Sequence, residues 1–323
     1  MKKLKIGVIG LGYLGKFHAE KFAQIKEAEL TAVVDLTPEK AQKVVEGLKK
    51  YTKNLPRIFQ DYRDICDIVD AVSVVTPTTT HYEIASYFIE KGKPVFLEKP
   101  ISHDLRLAEK LLKMAEEKKI PVQVGHIERF QDCMQELFKK VKNPLFIEAH
   151  RLSSFVERNL DIDVVLDLMI HDLDLALKIK NFIPVKSVHA VGAPVFTELP
   201  DIVNARVIFE DCTTCNFTAS RVSLGKQRRF RVFEKGVYYC VDTVERSFLE
   251  VRVIKEEKGF ISQKYEFKNS DPLKKELESF VKNILEKKEV EVPLSEALCS
   301  LRLAFKIKTS VEENLKEVTE KRK

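Results

Sequence analysis

Residues 4–15 read Leu4-Lys5-Ile6-Gly7-Val8-Ile9-Gly10-Leu11-Gly12-Tyr13-Leu14-Gly15, a short apolar strand that runs directly into a G-x-G-x-x-G turn. A helical pattern follows the turn, and Asp35 lies 20 residues after Gly15 at the end of the next predicted strand. This order of strand, glycine turn, helix and acidic residue is typical of a dinucleotide-binding βαβ unit. The sequence therefore predicts a nucleotide site near the start of the chain.

The residues of this turn suit a pyrophosphate. Gly10 permits a tight turn, Gly12 lets the backbone approach the ligand, and Gly15 allows the helix to pack closely on the sheet. The helix N-terminus presents N–H groups to the phosphate oxygens. The predicted cofactor-binding residues of the turn are Gly10, Leu11, Gly12, Tyr13, Leu14 and Gly15.

Asp35 bears on the choice of cofactor. Its carboxylate suits the ribose hydroxyls and repels a 2′-phosphate, so we expect NAD rather than NADP. Lys40 lies nearby in the sequence and weakens this preference.

Two patterns divide the chain. Short apolar strands alternate with helices up to about residue 125, which predicts a doubly wound parallel sheet, that is, a Rossmann fold. Beyond it, strands with few helices between them predict an α+β region with a large, mostly antiparallel open sheet. We expect a dinucleotide-binding domain over residues 1–123 and a substrate-binding and oligomerisation domain over residues 124–323.

Composition narrows the class of protein. The 323 residues are 44% hydrophobic with a net charge of +6, and no basic block or membrane-length apolar run stands out. We therefore expect a globular protein that binds a small molecule and neither nucleic acid nor membrane. Six cysteines without a secretion signal predict reduced thiols and a cytoplasmic location. Cys212-x-x-Cys215 lies by or within a predicted strand without a second pair, so no metal site is expected.

Two polar loops follow strands at the carboxyl edge of the predicted parallel sheet, where such folds bind their ligand. The predicted cofactor-binding residues there are Thr76, Pro77, Thr78, His81, Glu98 and Lys99. A lysine at this edge can hydrogen-bond the reacting oxygen and stabilise its developing charge, although Lys99 can also be an ordinary surface lysine. His18, on the first helix, is expected to pack and not to take part in the chemistry.

A second polar cluster lies on the helix predicted over residues 162–180. At about 100° per residue, Asp163, Asp167, His171 and Asp174 share one stripe of an otherwise apolar helix. Asp167 and His171 are spaced to touch, so the carboxylate can orient the imidazole as a proton acceptor. The alternative is a surface helix with a thin polar face. The stripe lacks Lys and Glu, which favours a site.

With these residues, the chain resembles the glucose–fructose oxidoreductase/inositol dehydrogenase (Gfo/Idh/MocA) family of NAD(P)-dependent oxidoreductases. The resemblance rests on the order of the glycine turn, the loop over 76–81, Glu98-Lys99-Pro100, and Asp167-x-x-x-His171-Asp172. It implies that Lys99, Asp167 and His171 are the catalytic residues. It also implies a homo-oligomer, commonly a dimer or tetramer.

Residues 124–130, 150–153 and 165–172 are similar to the branch of this family that oxidises the 3-hydroxyl of UDP-N-acetylglucosamine. Arginines suit the diphosphate of such a substrate because guanidinium groups match phosphate oxygens bidentately, although they can also be structural. The substrate-binding residues then expected are Lys99, His126, Arg129, Arg151, Arg158, Asp167 and His171.

Three other functions stay open at this point. The first is an inositol or free-sugar dehydrogenase. The second is a relative that uses NAD for transient oxidation during glycoside cleavage. The third is a nucleotide-sensing protein without catalysis.

Overall fold

The structure, a computed structural model, describes residues 3–155, 162–254 and 259–321. The chain forms two compact units, Met1–Ile127 with Asp271–Leu298, and Glu128–Ser270 with Cys299–Lys323. The domain boundary predicted between residues 123 and 124 stays a prediction.

The first unit is built on a six-stranded parallel sheet. Its strands are β1 (Leu4–Ile9), β2 (Ala28–Val34), β3 (Arg57–Phe59), β4 (Ala71–Val74), β5 (Val95–Glu98) and β6 (Val122–Gly125). Their order is β3-β2-β1-β4-β5-β6, and every neighbouring pair is parallel. The order reverses between β1 and β4, which is the switch point where such sheets bind ligands. The predicted Rossmann sheet is confirmed, with β3 as an additional short strand.

Helices cover this sheet. They are α1 (Gly15–Phe22), α2 (Pro38–Leu48), α3 (His81–Glu90), α4 (Leu105–Lys118) and, returning from later in the chain, α7 (Pro272–Glu286). Leu277 and Phe280 of α7 are fully buried in the same hydrophobic core as residues of β1 and β2. The ring of Phe280 lies 5.7 Å from that of Phe96. The core of the first unit is therefore completed by residues far from it in the sequence.

The second unit contains an eight-stranded sheet. Its strands are β7 (Phe146–Leu152), β8 (Val185–Ala193), β9 (Ile202–Phe209), β10 (Thr214–Ser220), β11 (Gln227–Glu234), β12 (Val237–Asp242), β13 (Ser247–Ile254) and β14 (Gly259–Glu266). Their order is β14-β13-β12-β11-β7-β10-β9-β8. The pair β7–β10 is parallel and the other pairs are antiparallel, so the predicted mostly antiparallel sheet is confirmed.

Three further helices are α5 (Asp132–Lys140), α6 (Ile170–Ile179) and α8 (Leu294–Lys321), of which α6 packs against β7 and β10. A π-helical turn over Val165–Met169 leads directly into α6, where the sequence predicts one continuous α-helix. Asp163 precedes the turn, and its Oδ1 accepts the backbone N–H groups of Val165 and Leu166 at 2.9 and 3.1 Å. Within the described residues, no helix combines the length and apolar character that crossing a bilayer requires.

Candidate active site

The glycine turn is shaped by steric constraints that differ from one glycine to the next. Gly10 has a φ of 87°, and a Cβ there would lie 2.7 Å from the carbonyl oxygen of Val75. A Cβ on Gly15 would lie only 1.8 Å from the carbonyl oxygen of Gly10. A Cβ on Gly12 would meet no heavy atom of the described residues within 4 Å. The fold itself thus requires Gly10 and Gly15, while Gly12 faces open space that fits the approach of a pyrophosphate.

Asp35 anchors this turn from the second strand. Its Oδ2 accepts the backbone N–H of Leu11 at 2.8 Å, and its Oδ1 accepts that of Thr37 at 3.0 Å. The Nζ of Lys40 lies 3.2 Å from Oδ2. The carboxylate therefore holds the turn in place, and an ammonium group next to it offsets part of its negative charge.

The loop after β4 is held by His81. Its Nε2 lies 2.9 Å from the carbonyl oxygen of Thr76, and its Nδ1 lies 2.9 Å from that of Pro100. The ring is 1% exposed, and this burial lowers the pKa of His81 although both carbonyls favour the charged form. Thr80 Oγ1 donates to Pro77 O at 2.8 Å, which closes the loop. His81 thus ties two loops together, which favours a positioning role over direct contact with a cofactor.

The segment that carries Lys99 rests on a buried polar network. Glu98 Oε2 accepts the backbone N–H of Lys99 at 3.2 Å, and Oε1 lies 3.1 Å from Nε2 of His18. The other ring nitrogen of His18 lies 3.0 Å from Oγ of Ser73. His18 is therefore a buried member of this polar network. The sequence feature that indicates this is its position one helical turn after Gly15, on the face of α1 that meets the sheet.

Burial and charge act on Glu98 in opposite directions. Burial disfavours the ionised carboxyl, but the hydrogen bond and charge of His18, with the charges of Lys99 and His81, hold the pKa of Glu98 below its ordinary value. A Cβ on Gly125 would lie 2.8 Å from Glu98 Oε1, so a larger residue at this position of the neighbouring strand would displace the carboxylate. His126 follows this glycine and is 1% exposed, and its predicted substrate contact stays a prediction.

In the second unit, the polar stripe predicted on one helix face is divided. Asp163 is buried and pairs with Lys308 at 2.6 Å. Asp174 is buried too, and it accepts Nε and Nη2 of Arg129 at 2.6 and 2.7 Å. The four residues of the predicted stripe therefore do not share one environment, since Asp163 and Asp174 are buried in ion pairs. The physical reason is that cationic partners from distant segments bury both carboxylates, while the π-helical turn alters the rotation between successive side chains.

Asp167 and His171 differ from the other two stripe residues because their side chains are accessible to solvent or to a ligand. Over residues 163–177, three residues are partly exposed, Asp167, Leu168 and His171, and the others are buried. They lie where the π-helical turn meets α6, and such turns are frequent at functional sites. The predicted contact between the Asp167 carboxylate and the His171 imidazole stays a prediction.

Arg129 and Arg151 are committed to carboxylates of their own unit. Both are 3% exposed, and Arg151 donates to Asp172 at 3.0 and 2.8 Å and to Glu128 at 2.8 Å. Burial works against the charge of Arg151, but Asp172 and Glu128 outweigh it and raise its pKa. The geometry favours the structural alternative for these two arginines over binding of a substrate diphosphate. Arg158 lies outside the described residues.

A glycine cradle at the switch point of a Rossmann sheet, followed by the Lys99 segment at the same edge, is the arrangement of a dinucleotide-dependent oxidoreductase. Residues 4–126 match the Gfo/Idh/MocA oxidoreductase family in its NAD-binding Rossmann fold. UDP-N-acetylglucosamine 3-dehydrogenase from Acidithiobacillus ferrooxidans is 39% identical over 243 residues, 75% of each protein. The chain therefore belongs to the Gfo/Idh/MocA family.

Two further comparisons extend over nearly the whole chain. A solved structure of the Acidithiobacillus ferrooxidans enzyme has a TM-score of 0.88 at 33% identity and covers 97% of this chain and 99% of that one. Myo-inositol 2-dehydrogenase from Thermotoga maritima is 27% identical over 332 residues, 96% of this chain and 97% of that protein. The predicted family and enzyme class, an oxidoreductase, are confirmed. The site residues, the oligomeric state and the cellular location stay predictions.

Proposed function

We propose that the protein is an NAD-dependent dehydrogenase that oxidises the 3-hydroxyl of UDP-N-acetylglucosamine to a ketone. The observation that carries a dehydrogenase function is that Asp167 and His171 are the partly exposed polar residues of segment 163–177, in which every other residue except Leu168 is buried. The similarity to UDP-N-acetylglucosamine 3-dehydrogenase supports the substrate.

His171 is the proton acceptor in this proposal. Its imidazole takes the proton of the reacting hydroxyl, because histidine titrates near neutral pH. Asp167, one helical turn earlier, orients the ring and stabilises the imidazolium that forms. Asp172 does not share this task, since Arg151 holds its carboxylate through both oxygens.

Lys99 holds the reacting oxygen. Its ammonium donates a hydrogen bond to that oxygen and stabilises the partial negative charge that develops as the proton leaves. The Glu98 carboxylate fixes the backbone N–H of Lys99 through the bond at 3.2 Å, and His18 braces that carboxylate. The lysine is therefore presented from a rigid segment, which catalytic groups require.

The glycine turn and Asp35 bind the cofactor, which when bound supplies the acceptor for the hydride. The open space at Gly12 would receive the pyrophosphate of the cofactor, and the Asp35 carboxylate would accept hydrogen bonds from its adenosine ribose hydroxyls. Lys40 beside Asp35 reduces the repulsion of a 2′-phosphate. We therefore expect NADH to bind more tightly than NADPH, with a preference smaller than Asp35 alone would impose.

The test compares two site variants with two matched controls. Lys99→Met and His171→Ala should each retain NADH binding and lose turnover of UDP-N-acetylglucosamine by at least about 100-fold. Lys91→Met and His189→Ala change the same residue types at exposed positions and should keep near-normal rates. A near-normal rate in either site variant contradicts the assignment.

The products separate the remaining functions. Stoichiometric NADH and ketone support net oxidation, whereas turnover of a glycoside without accumulated NADH indicates transient oxidation. An inositol dehydrogenase is the second candidate, because the similarity to myo-inositol 2-dehydrogenase spans 96% of the chain. Oxidation of inositols but not of UDP-N-acetylglucosamine would establish that candidate in place of ours.

A further inference from the structure

Two arginines face each other on neighbouring strands of the second unit. Arg228 of β11 is paired in register with Arg151 of β7. Residues directly opposite one another in an antiparallel pair project from the same face, and like charges at such positions repel. This arrangement requires carboxylates nearby, or an anion from outside the chain.

The carboxylates nearby are divided unequally between these arginines. Arg151 takes both oxygens of Asp172 and donates to Oε1 of Glu128 at 2.8 Å. Arg228 reaches the same Oε1 only at 3.5 Å, beyond good hydrogen-bond distance. The Arg228 side chain is 35% exposed, so its guanidinium combines an under-compensated charge with access to solvent.

Lys226 adds positive charge next to Arg228. Lys226 lies two residues before Arg228 and is exposed. The charge of Arg228, together with burial, lowers the pKa of Lys226. Burial and Arg151 lower the pKa of Arg228, and the attraction of Glu128, Asp172 and Asp167 does not outweigh them. Neighbouring arginines thus disfavour the charge of each side chain, Arg228 that of Lys226 and Arg151 that of Arg228, and a bound anion would relieve this repulsion.

Arg228 lies close to the proposed reaction centre. Asp167 is near enough to act on the charge of Arg228, and the facing Arg151 binds Asp172, the residue after His171. An anionic group bound by Arg228 therefore belongs to a molecule that also extends toward Asp167. A free inositol has no group to place there, whereas a nucleotide-sugar has a diphosphate.

We propose that Arg228 and Lys226 form the subsite for the diphosphate of a nucleotide-sugar substrate. This inference rests on the proposed function and locates its specificity for nucleotide-sugars over uncharged sugars. A planar guanidinium donates two parallel hydrogen bonds to phosphate oxygens, and an ammonium adds a point charge. From the sequence, the phosphate is assigned to Arg129, Arg151 and Arg158, whereas Arg228, Arg229 and Arg231 form a charged strand face more typical of solvation or an oligomer contact than of substrate binding. The sequence does not show which of these arginines have buried partners.

Arg229 provides a matched control. It is the next residue of β11, so its side chain projects from the opposite face of the sheet. It is exposed and pairs with Asp242 at 3.3 Å. Replacing either arginine by glutamine removes one positive charge from the same strand, and only Arg228→Gln removes it from the proposed subsite.

The experiment measures UDP binding by calorimetry and steady-state kinetics with UDP-N-acetylglucosamine. Arg228→Gln should raise the Kd for UDP and the KM by about tenfold or more, with kcat within about threefold. Lys226→Gln should give a smaller increase, and Arg229→Gln should change either value by less than about twofold. The Kd for NADH should not change in any variant. Added salt should raise the KM of the wild type more than that of Arg228→Gln.

The outcomes separate the subsite from the proposed function. Turnover of UDP-N-acetylglucosamine with the same KM in Arg228→Gln and Arg229→Gln overturns the subsite and leaves the proposed function in place. UDP binding that depends on Arg228, without oxidation of UDP-N-acetylglucosamine, supports the subsite and overturns the proposed sugar. Absence of UDP binding in the wild type, with turnover of uncharged sugars, overturns both.

Discussion

The glycine turn of the first unit and helix α6 of the second are both rigidly held, by different kinds of contact. In the first, backbone meets backbone, and a single added carbon on Gly15 would lie 1.8 Å from a carbonyl oxygen. In the second, buried guanidinium groups hold carboxylates, with Arg129 on Asp174 and Arg151 on Asp172. The first arrangement depends on residue size and the second on paired charges.

This difference decides how each region responds to change. A backbone contact tolerates almost any distant substitution but no larger residue at its own position. A buried ion pair tolerates removal of both partners better than removal of one, because the remaining charge lies in an apolar environment without compensation. The two regions should therefore fail in distinguishable ways.

The largest effect is expected from breaking one charge pair. Asp172→Ala leaves Arg151 with Glu128 as its remaining carboxylate and should lower the free energy of unfolding by about 3–5 kcal/mol. Urea denaturation measures this loss. Glu266→Ala, which removes an exposed carboxylate beside Lys264 and Lys268, should change stability little. The triple variant Asp172→Leu/Arg151→Met/Glu128→Gln removes all three buried charges and should recover much of the loss, and its failure to do so would count against the charge-pair explanation.

The glycine turn provides the contrasting test. Gly15→Ala should destabilise the protein by about 1–3 kcal/mol, because the new Cβ collides with backbone that cannot move independently. Gly12→Ala should change stability by less than about 0.5 kcal/mol, since its Cβ enters open space, yet it should weaken NADH binding. Thermal unfolding and NADH titration separate these results. Equal NADH affinity in Gly12→Ala and the wild type would mean that this space does not receive the cofactor.

The smallest expected effect on stability is that of His81, whose ring contacts two backbone carbonyl oxygens. The pKa of buried His81 is lowered, so between that value and the ordinary value of about 6.5 the unfolded chain binds more protons than the folded one. Its contribution to stability is complete above about pH 6.5 and is lost as the pH falls below it. Urea titrations between about pH 5 and 7 should show a shallower pH slope in His81→Gln than in the wild type, with His189→Gln as the control. An unchanged slope would show that His81 is not the group responsible.

The difference between local backbone contacts and ion pairs that are distant in sequence also explains what the sequence could predict. The glycine turn, Asp35 and the loops around His81 and Lys99 follow strands directly, so local pattern placed them at the correct edge of the sheet. Arg129 and Asp174 are 45 positions apart, and Arg151 and Asp172 are 21 apart, so no local pattern pairs them. For the same reason, the pairing of Asp163 with Lys308 and the incomplete pairing of Arg228 with Glu128 could not be foreseen.

The sequence also left two smaller features unpredicted, strand β3 and the hydrogen-bond partners of His18. Strand β3 has three residues and no fully buried side chain, which is too little for an apolar strand pattern. His18 resembled a packing residue because its two partners, Ser73 and Glu98, come from different strands. For His18, the missing information was that these two strands become its neighbours after folding.

The π-helical turn over Val165–Met169 has a consequence for how this helix can vary in length. A π turn closes its hydrogen-bonded ring with one more residue than an α turn. Five residues in a π turn rotate the chain by nearly as much as four residues in an α turn, so deleting one residue there would leave an ordinary helical turn. His171 and the buried ion-pair residues behind it would keep almost the same orientation. The extra residue is thus absorbed within the turn that carries Asp167, and the ion pairs of Asp163 and Asp174 on either side of it are preserved.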